Sequence, residues 1–316
     1  MYLIDLHCDT ISHLYKTGAA LRSNQAQYDL VRARAAGVSL QFFAMFTRPA
    51  ESNTCLREVL KQLDRYWLEI DNNSTELYPI LQRNDLSNAQ SQDKIGCLLH
   101  LEGAECLGGD LEILRVLQRS GLRSMGLTWN DRNLLADGGG EGARAGGLSR
   151  KGRQTIQEMD RLGILLDLAH ISTASYYQAL ELYPKPVLVT HANARALCPH
   201  WRNLDDEQLK ALAQKGGVVG ITQVNDFIKE GGFATIEDML DHIVYISDLV
   251  GVEHVGLGSD FDGADDMVLE EVSQYARMPD LLARRGFALR EIEMILGGNA
   301  VRVITAVLPE GIIGKD

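Results

Sequence analysis

A single (β/α)8 TIM barrel is the fold this sequence predicts, and three observations predict it. Eight strand-like apolar runs alternate with helix-like segments along 316 residues. Several runs are continuously apolar rather than alternating, as expected of parallel strands covered on both faces. A polar residue able to bind a metal closes five of the eight runs. The run count also suits a doubly wound open sheet, but strand ends converge on one face in a barrel.

The strand candidates are 3–7, 38–46, 95–103, 124–129, 163–170, 186–191, 216–224 and 254–261. Helical patterns occupy 56–72, 111–120, 151–162, 205–214 and 236–250 between them. The helix at 205–214 carries acidic residues in its first turn, which suits the helix dipole. One barrel of about 250 residues with extensions accommodates the length. The expected organisation is therefore one barrel over 1–316 with a C-terminal helical extension. His254 opens the last strand, and His13 and His242 sit on helical segments as packing or surface residues.

The net charge of −12 argues against nucleic acid and anionic membrane surfaces as partners. The first residues, MYLIDLHCDT, lack a basic region followed by a long apolar run. Five cysteines without a CxxC pair suit reduced thiols, so the expected location is the cytoplasm. Gly138–Gly147 (GGGEGARAGG) lacks the GK[ST] and strand-to-helix context of a phosphate loop. It is expected as a mobile surface loop, with a lid over a site as the alternative.

The first run ends in His7-Cys8-Asp9, whose i and i+2 side chains share one side of a strand. They offer an imidazole and a carboxylate to one metal. Glu102, His170, His191 and Asp260 stand at or near four further run ends. Each has an ordinary reading, such as a helix cap, an ion pair or a hydrogen-bonded histidine. Five such groups on one face instead need partners or a metal, because unpaired buried charge is costly. Mixed imidazole and carboxylate ligands favour zinc, then manganese or cobalt. His100, two residues before Glu102, is expected one layer deeper.

The chain resembles the renal (membrane) dipeptidase family from residue 3 to about 305. The resemblance rests on DLHCDT at 5–10, LEGAE at 101–105, GLSRKGRQTIQEMDRLGILLDLAHIS at 147–172, THANARAL at 190–197, GLGSDFDG at 256–263 and LGGNAVRVI at 296–304. It implies a zinc dipeptidase, with a homodimer as its assembly. His7 and Asp9 would bind one zinc, His170 and His191 a second, and Glu102 would bridge them. Asp260 would transfer protons, and Arg202 would bind the substrate carboxylate. A hydroxide between two zinc ions would attack the peptide bond of a dipeptide, including one with a D-residue at its C-terminal position.

Trp129 stands where many family members have a substrate-side histidine. Trp129 and Asn130 are therefore expected at the substrate, with Asn130, Asp131 or Asn133 as replacements for that group. A related amidohydrolase acting on N-acyl amino acids, cyclic amides or lactones is the alternative. A non-catalytic barrel is disfavoured, because every expected ligand and Asp260 are present.

Overall fold

In chain order the strands are β1 (Ile4–Cys8), β2 (Leu40–Phe46), β3 (Leu77–Pro79), β4 (Ile95–Glu102), β5 (Leu122–Gly126), β6 (Leu165–Asp167), β7 (Leu188–Ala192), β8 (Val218–Ile221) and β9 (Val255–Leu257). The computed structural model describes residues 2–231 and 233–311. The expected span of 1–316 thus includes residues 1, 232 and 312–316, which lie outside the described residues. Eight strands close a parallel ring in the order β1, β2, β4, β5, β6, β7, β8, β9 and back to β1. Closure rests on two pairings, β2 with β4 along Leu40–Phe46 and β1 with β9 at Asp5 and Leu257. An open doubly wound sheet lacks such a return, so the barrel reading holds.

Every residue of β1, β4, β5, β7, β8 and β9 is buried, because helices cover the outer face of the ring and side chains fill its interior. The five expected helices form at Ser52–Asn72, Leu111–Arg119, Arg150–Leu162, Asp206–Gln214 and Ile236–Val250. Their starts are chemically marked. Ser149 accepts from the Gly152 N–H, and Asp205 with Gln208 and Thr235 with Asp238 form capping boxes. A further helix, Asn299–Val307, follows the ring, and the Asn299 side chain donates to the Val252 and Val255 carbonyls beside β9. All five cysteines are free and buried. No helix among the described residues is long and apolar enough to cross a membrane.

The ladder differs from expectation in three places. β3 was not anticipated: it is three residues long, contains Pro79, and pairs with β4 outside the ring. So short a segment has no periodicity to read. β5 begins and ends earlier than expected, which frees Leu127–Trp129 to run toward the mouth as loop. β6 and β9 stop at Asp167 and Leu257, short of the expected ends at 170 and 261. Buried carboxylates replace ladder bonds there. Asp167 Oδ1 accepts from the Ala169 and Thr190 N–H groups, at 3.0 and 2.8 Å. Asp5 accepts from the Ser259 N–H and Oγ–H, at 2.7 and 2.6 Å. Beyond these bonds the chain turns, and His170 and Asp260 adopt φ of 64° and 71°. Left-handed backbone at non-glycine residues is costly and concentrates at functional sites.

Candidate active site

The strand ends bring His7, Asp9, Glu102, His170, His191 and Asp260 together at the mouth of the ring. Three sets among them have ligand atoms within 4.8 Å of one another: His7, Asp9 and Glu102; Glu102, His170 and His191; and His7, His191 and Asp260. His7 and Asp9 converge as expected, with Nε2 3.3 Å from Oδ2. Strand alternation is only part of the reason, because β1 ends at Cys8 and Asp9 precedes the helix Thr10–Thr17.

Glu102 divides the cluster. Its Oε2 lies 3.7 Å from His7 Nε2, while its Oε1 lies 2.8 Å from His170 Nε2 and 3.7 Å from His191 Nε2. One carboxylate therefore presents an oxygen to each half of the site. Burial raises the Glu102 pKa, the Asp9 charge adds to this, and the His7 charge opposes it. Burial alone would depress the His7 imidazole, but Glu102 and Asp9 outweigh it and hold its pKa up at about 10. Burial drives His170 and His191 down, as do the positive charges of Arg202 and His7.

The tautomers of His170 and His191 test whether a metal fits. Thr190 Oγ1 gives its hydrogen to Asp167 Oδ2 at 2.8 Å, so it accepts from His191 Nδ1 at 2.9 Å. His170 Nδ1 donates to Asn130 Oδ1 at 2.7 Å. With both ring protons on Nδ1, the two Nε2 lone pairs face each other at 2.8 Å, beside Glu102 Oε1. Two bare lone pairs so close repel unless a cation lies between them. Outer partners that fix the ring and its tautomer are the usual support of metal-binding histidines. The residues present fit a divalent metal.

Metal uptake near pH 8 should release roughly one proton per chain from His7, because a ligand imidazole must be neutral. An indicator dye followed during metal titration measures it. Uptake without proton release would contradict a ligand role for His7.

A cleft of about 830 Å³ opens over this cluster, and Glu102, Trp129, Asn130, His170, Arg202 and Asp260 all reach it. Arg202 is 5% exposed, and among the described residues it makes no salt bridge and its buried Nε has no hydrogen-bond partner. Its side chain donates weakly to the His191 carbonyl at 3.4 Å and lies over the Phe227 ring at 5.6 Å. Burial lowers its pKa to about 10 despite the nearby charges of Asp260 and Glu102. Burial also raises Asp260 to about 6, with the His7 charge opposing and the Asp9 charge adding.

Trp129 packs between Phe46 and His170, with ring centroids 5.3 and 6.1 Å away. Asp131 is exposed, and Asn133 is spent inside its own loop. His100 lies one layer deeper, as expected, with Nδ1 2.9 Å from Ser124 Oγ. His242 and His254 bond to the Ile228 and Gly217 carbonyls and pack the interior.

Two further histidines reach the cleft, His13 where a packing or surface residue is expected and His200 without any expectation. His13 lines it from the helix Thr10–Thr17. His200 also lines it, stacks on Phe227 at 4.5 Å, and accepts from the Arg202 N–H at 3.3 Å. Its closeness to Arg202 in sequence was the available signal. The segment Gly138–Gly147 is pinned at several points. The Asp137 carboxylate accepts from the Gly146 and Gly147 N–H groups, and Gly139 and Gly140 donate to the carbonyls of His170 and Asn130.

A family model described as membrane dipeptidase, peptidase family M19, matches residues 1–309. Dipeptidase aclJ of Aspergillus oryzae is 32% identical over 308 residues, which cover 93% of this chain and 73% of that protein. A solved structure described as dipeptidase AC, a metallo peptidase, superposes with a TM-score of 0.90 at 25% identity, covering 98% of this chain and 99% of that one. A metallo peptidase from Rhodobacter sphaeroides, liganded with a phosphinate mimic of the dipeptide L-Ala-D-Ala, shares the fold at a TM-score of 0.90. It is 24% identical, with 97% of this chain and 99% of that one covered.

Proposed function

This chain belongs to the membrane dipeptidase family, peptidase family M19, and is a metallo-dipeptidase; we propose that it cleaves free dipeptides, including those with a D-residue at the C-terminal position, at a site for two zinc ions. One observation carries the substrate reading: a buried guanidinium without a carboxylate partner among the described residues stands over a cluster of six metal-competent side chains. The C-terminal carboxylate of a dipeptide supplies the missing counter-charge. A paired guanidinium–carboxylate contact also selects the bond that is cut, because it fixes the distance from the free carboxylate to the reacting bond.

His7 and Asp9 would hold one ion, His170 and His191 the other, and Glu102 would reach both through its separate oxygens. Such ions, when bound, lower the pKa of a water toward neutrality and polarise a carbonyl. Asp260 is placed to move protons. Its Oδ1 is 3.7 Å from His7 Nε2, and burial raises its pKa to about 6. A carboxylate of that basicity takes a proton from the attacking water and delivers it to the leaving amine near neutral pH.

A panel of substrates on zinc-reconstituted protein tests the reading. Free L,L- and L,D-dipeptides are expected to be turned over in preference to N-acyl amino acids, cyclic amides and lactones, and to exceed dipeptide amides by at least about a hundredfold in kcat/KM, since the charged contact the amides lack is worth a few kcal/mol. Preferred turnover of N-acyl amino acids, cyclic amides or lactones would overturn it.

A further inference from the structure

We propose that the side-chain amide of Asn130 is a catalytic hydrogen-bond donor, holding the oxygen of the scissile carbonyl as negative charge develops on it. The inference rests on the dipeptidase reading and names the group that replaces the family histidine lost at Trp129.

The orientation of the amide follows from its neighbour. His170 Nε2 faces Glu102 Oε1 and His191 Nε2, each at 2.8 Å; as a metal ligand through Nε2, which the dipeptidase reading assigns it, the ring carries its proton on Nδ1. That N–H points at Asn130 from 2.7 Å, and only the amide oxygen can receive it. Turning the amide over would set two donors against each other. Because the group is planar, fixing Oδ1 on His170 also fixes the direction of the Nδ2 hydrogens. Among the described residues Nδ2 has no acceptor, and Asn130 lines the cleft with Glu102, Asp260 and Arg202. An unused donor is thus aimed into the space where the substrate must lie.

The backbone holds it there. The Gly140 N–H donates to the Asn130 carbonyl at 2.8 Å, and the Gly139 N–H donates to the His170 carbonyl at 2.7 Å. A Cβ at Gly138 would collide with the Asn130 carbonyl, and one at Gly140 would come within 2.7 Å of the same oxygen. The glycine run therefore has a use that composition alone did not show. It lets the chain press on Asn130 and His170 together, which gives the preorganisation a charge-stabilising donor needs.

The other candidates are occupied or unsuited. Trp129 is packed against Phe46 and His170. Asn133 donates to the Leu127 carbonyl and to Glu105, and accepts from the Leu135 and Ala136 N–H groups. Asp131 is exposed, and its carboxylate cannot donate. In the step itself, the water oxygen bonds to the carbonyl carbon and its proton goes to Asp260. The C=O π pair moves onto the oxygen facing Asn130. When that pair returns, the C–N bond breaks, and the departing nitrogen takes its electrons and the proton from Asp260.

Asn130→Asp separates this role from support of His170, because it keeps an oxygen for Nδ1 and removes the donor. The variant is expected to bind as much zinc as the native chain, with kcat about a hundredfold lower and KM within about threefold. Its affinity for a phosphinate dipeptide mimic, whose tetrahedral anionic centre resembles the charged intermediate, should fall by a similar factor. Asn130→Ala, which adds no charge, should show the same loss in kcat. Native-like kcat in either variant would overturn the proposal. So would unchanged phosphinate affinity alongside reduced kcat, or loss of zinc from Asn130→Asp. If the native protein hydrolyses no dipeptide, the dipeptidase reading itself fails, which the other outcomes leave standing.

Discussion

Asp260→Asn should lower kcat by about 10²–10⁴-fold on every dipeptide while leaving zinc content unchanged, because it removes the acid–base group and keeps its shape. The argument begins with the backbone. Asp260 has φ of 71°, and its N–H donates to the His7 carbonyl at 3.1 Å, which ties the end of β9 to the end of β1. Asparagine tolerates left-handed backbone as well as aspartate does, so the substitution adds little strain. Gly263 allows the close approach, since a Cβ there would meet Asp260 Oδ1 at 2.5 Å. Five further ligand candidates remain for metal. Steady-state kinetics paired with metal analysis checks the result. Full turnover in the variant would remove Asp260 from proton transfer, and loss of zinc would make it a ligand first.

Arg202→Met should lower kcat/KM for free dipeptides by about 10²–10³-fold, mostly through KM, because a desolvated charged contact is worth a few kcal/mol. Methionine keeps the apolar stem against Phe227. Among the described residues the native side chain makes no salt bridge, and its buried Nε has no hydrogen-bond partner, so its removal breaks no ion pair within the protein. Dipeptide amides, which lack the free carboxylate, distinguish a clamp from a packing role. They should be poor substrates of the native chain and change little in the variant. Equal losses on acids and amides would assign Arg202 to the architecture of the cleft instead.

The barrel was legible because its strands are long apolar runs and most of its helices carry a clear period. The site was legible because polar residues end those runs, which a strand buried on both faces does not otherwise tolerate. What sequence could not reach were interactions between distant segments. The early ends of β6 and β9 depend on Asp167 meeting Thr190 and on Asp5 meeting Ser259. His200 gains its place only through its stacking on Phe227, 27 positions away. Asn130 was expected at the substrate, but its bond to His170 spans 40 positions and no local pattern encodes it. The glycine run reads as mobile by composition, while Gly138, Gly139 and Gly140 are packed against Asn130, His170 and Trp201.

Titrating metal-free protein with zinc, while following bound metal and dipeptide turnover together, tests the central claim most directly. With Glu102 dividing the His7 and Asp9 half from the His170 and His191 half, uptake should end at about two equivalents per chain, and turnover should be greatest only there. Uptake that ends at about one equivalent with turnover already complete would contradict a centre shared across Glu102.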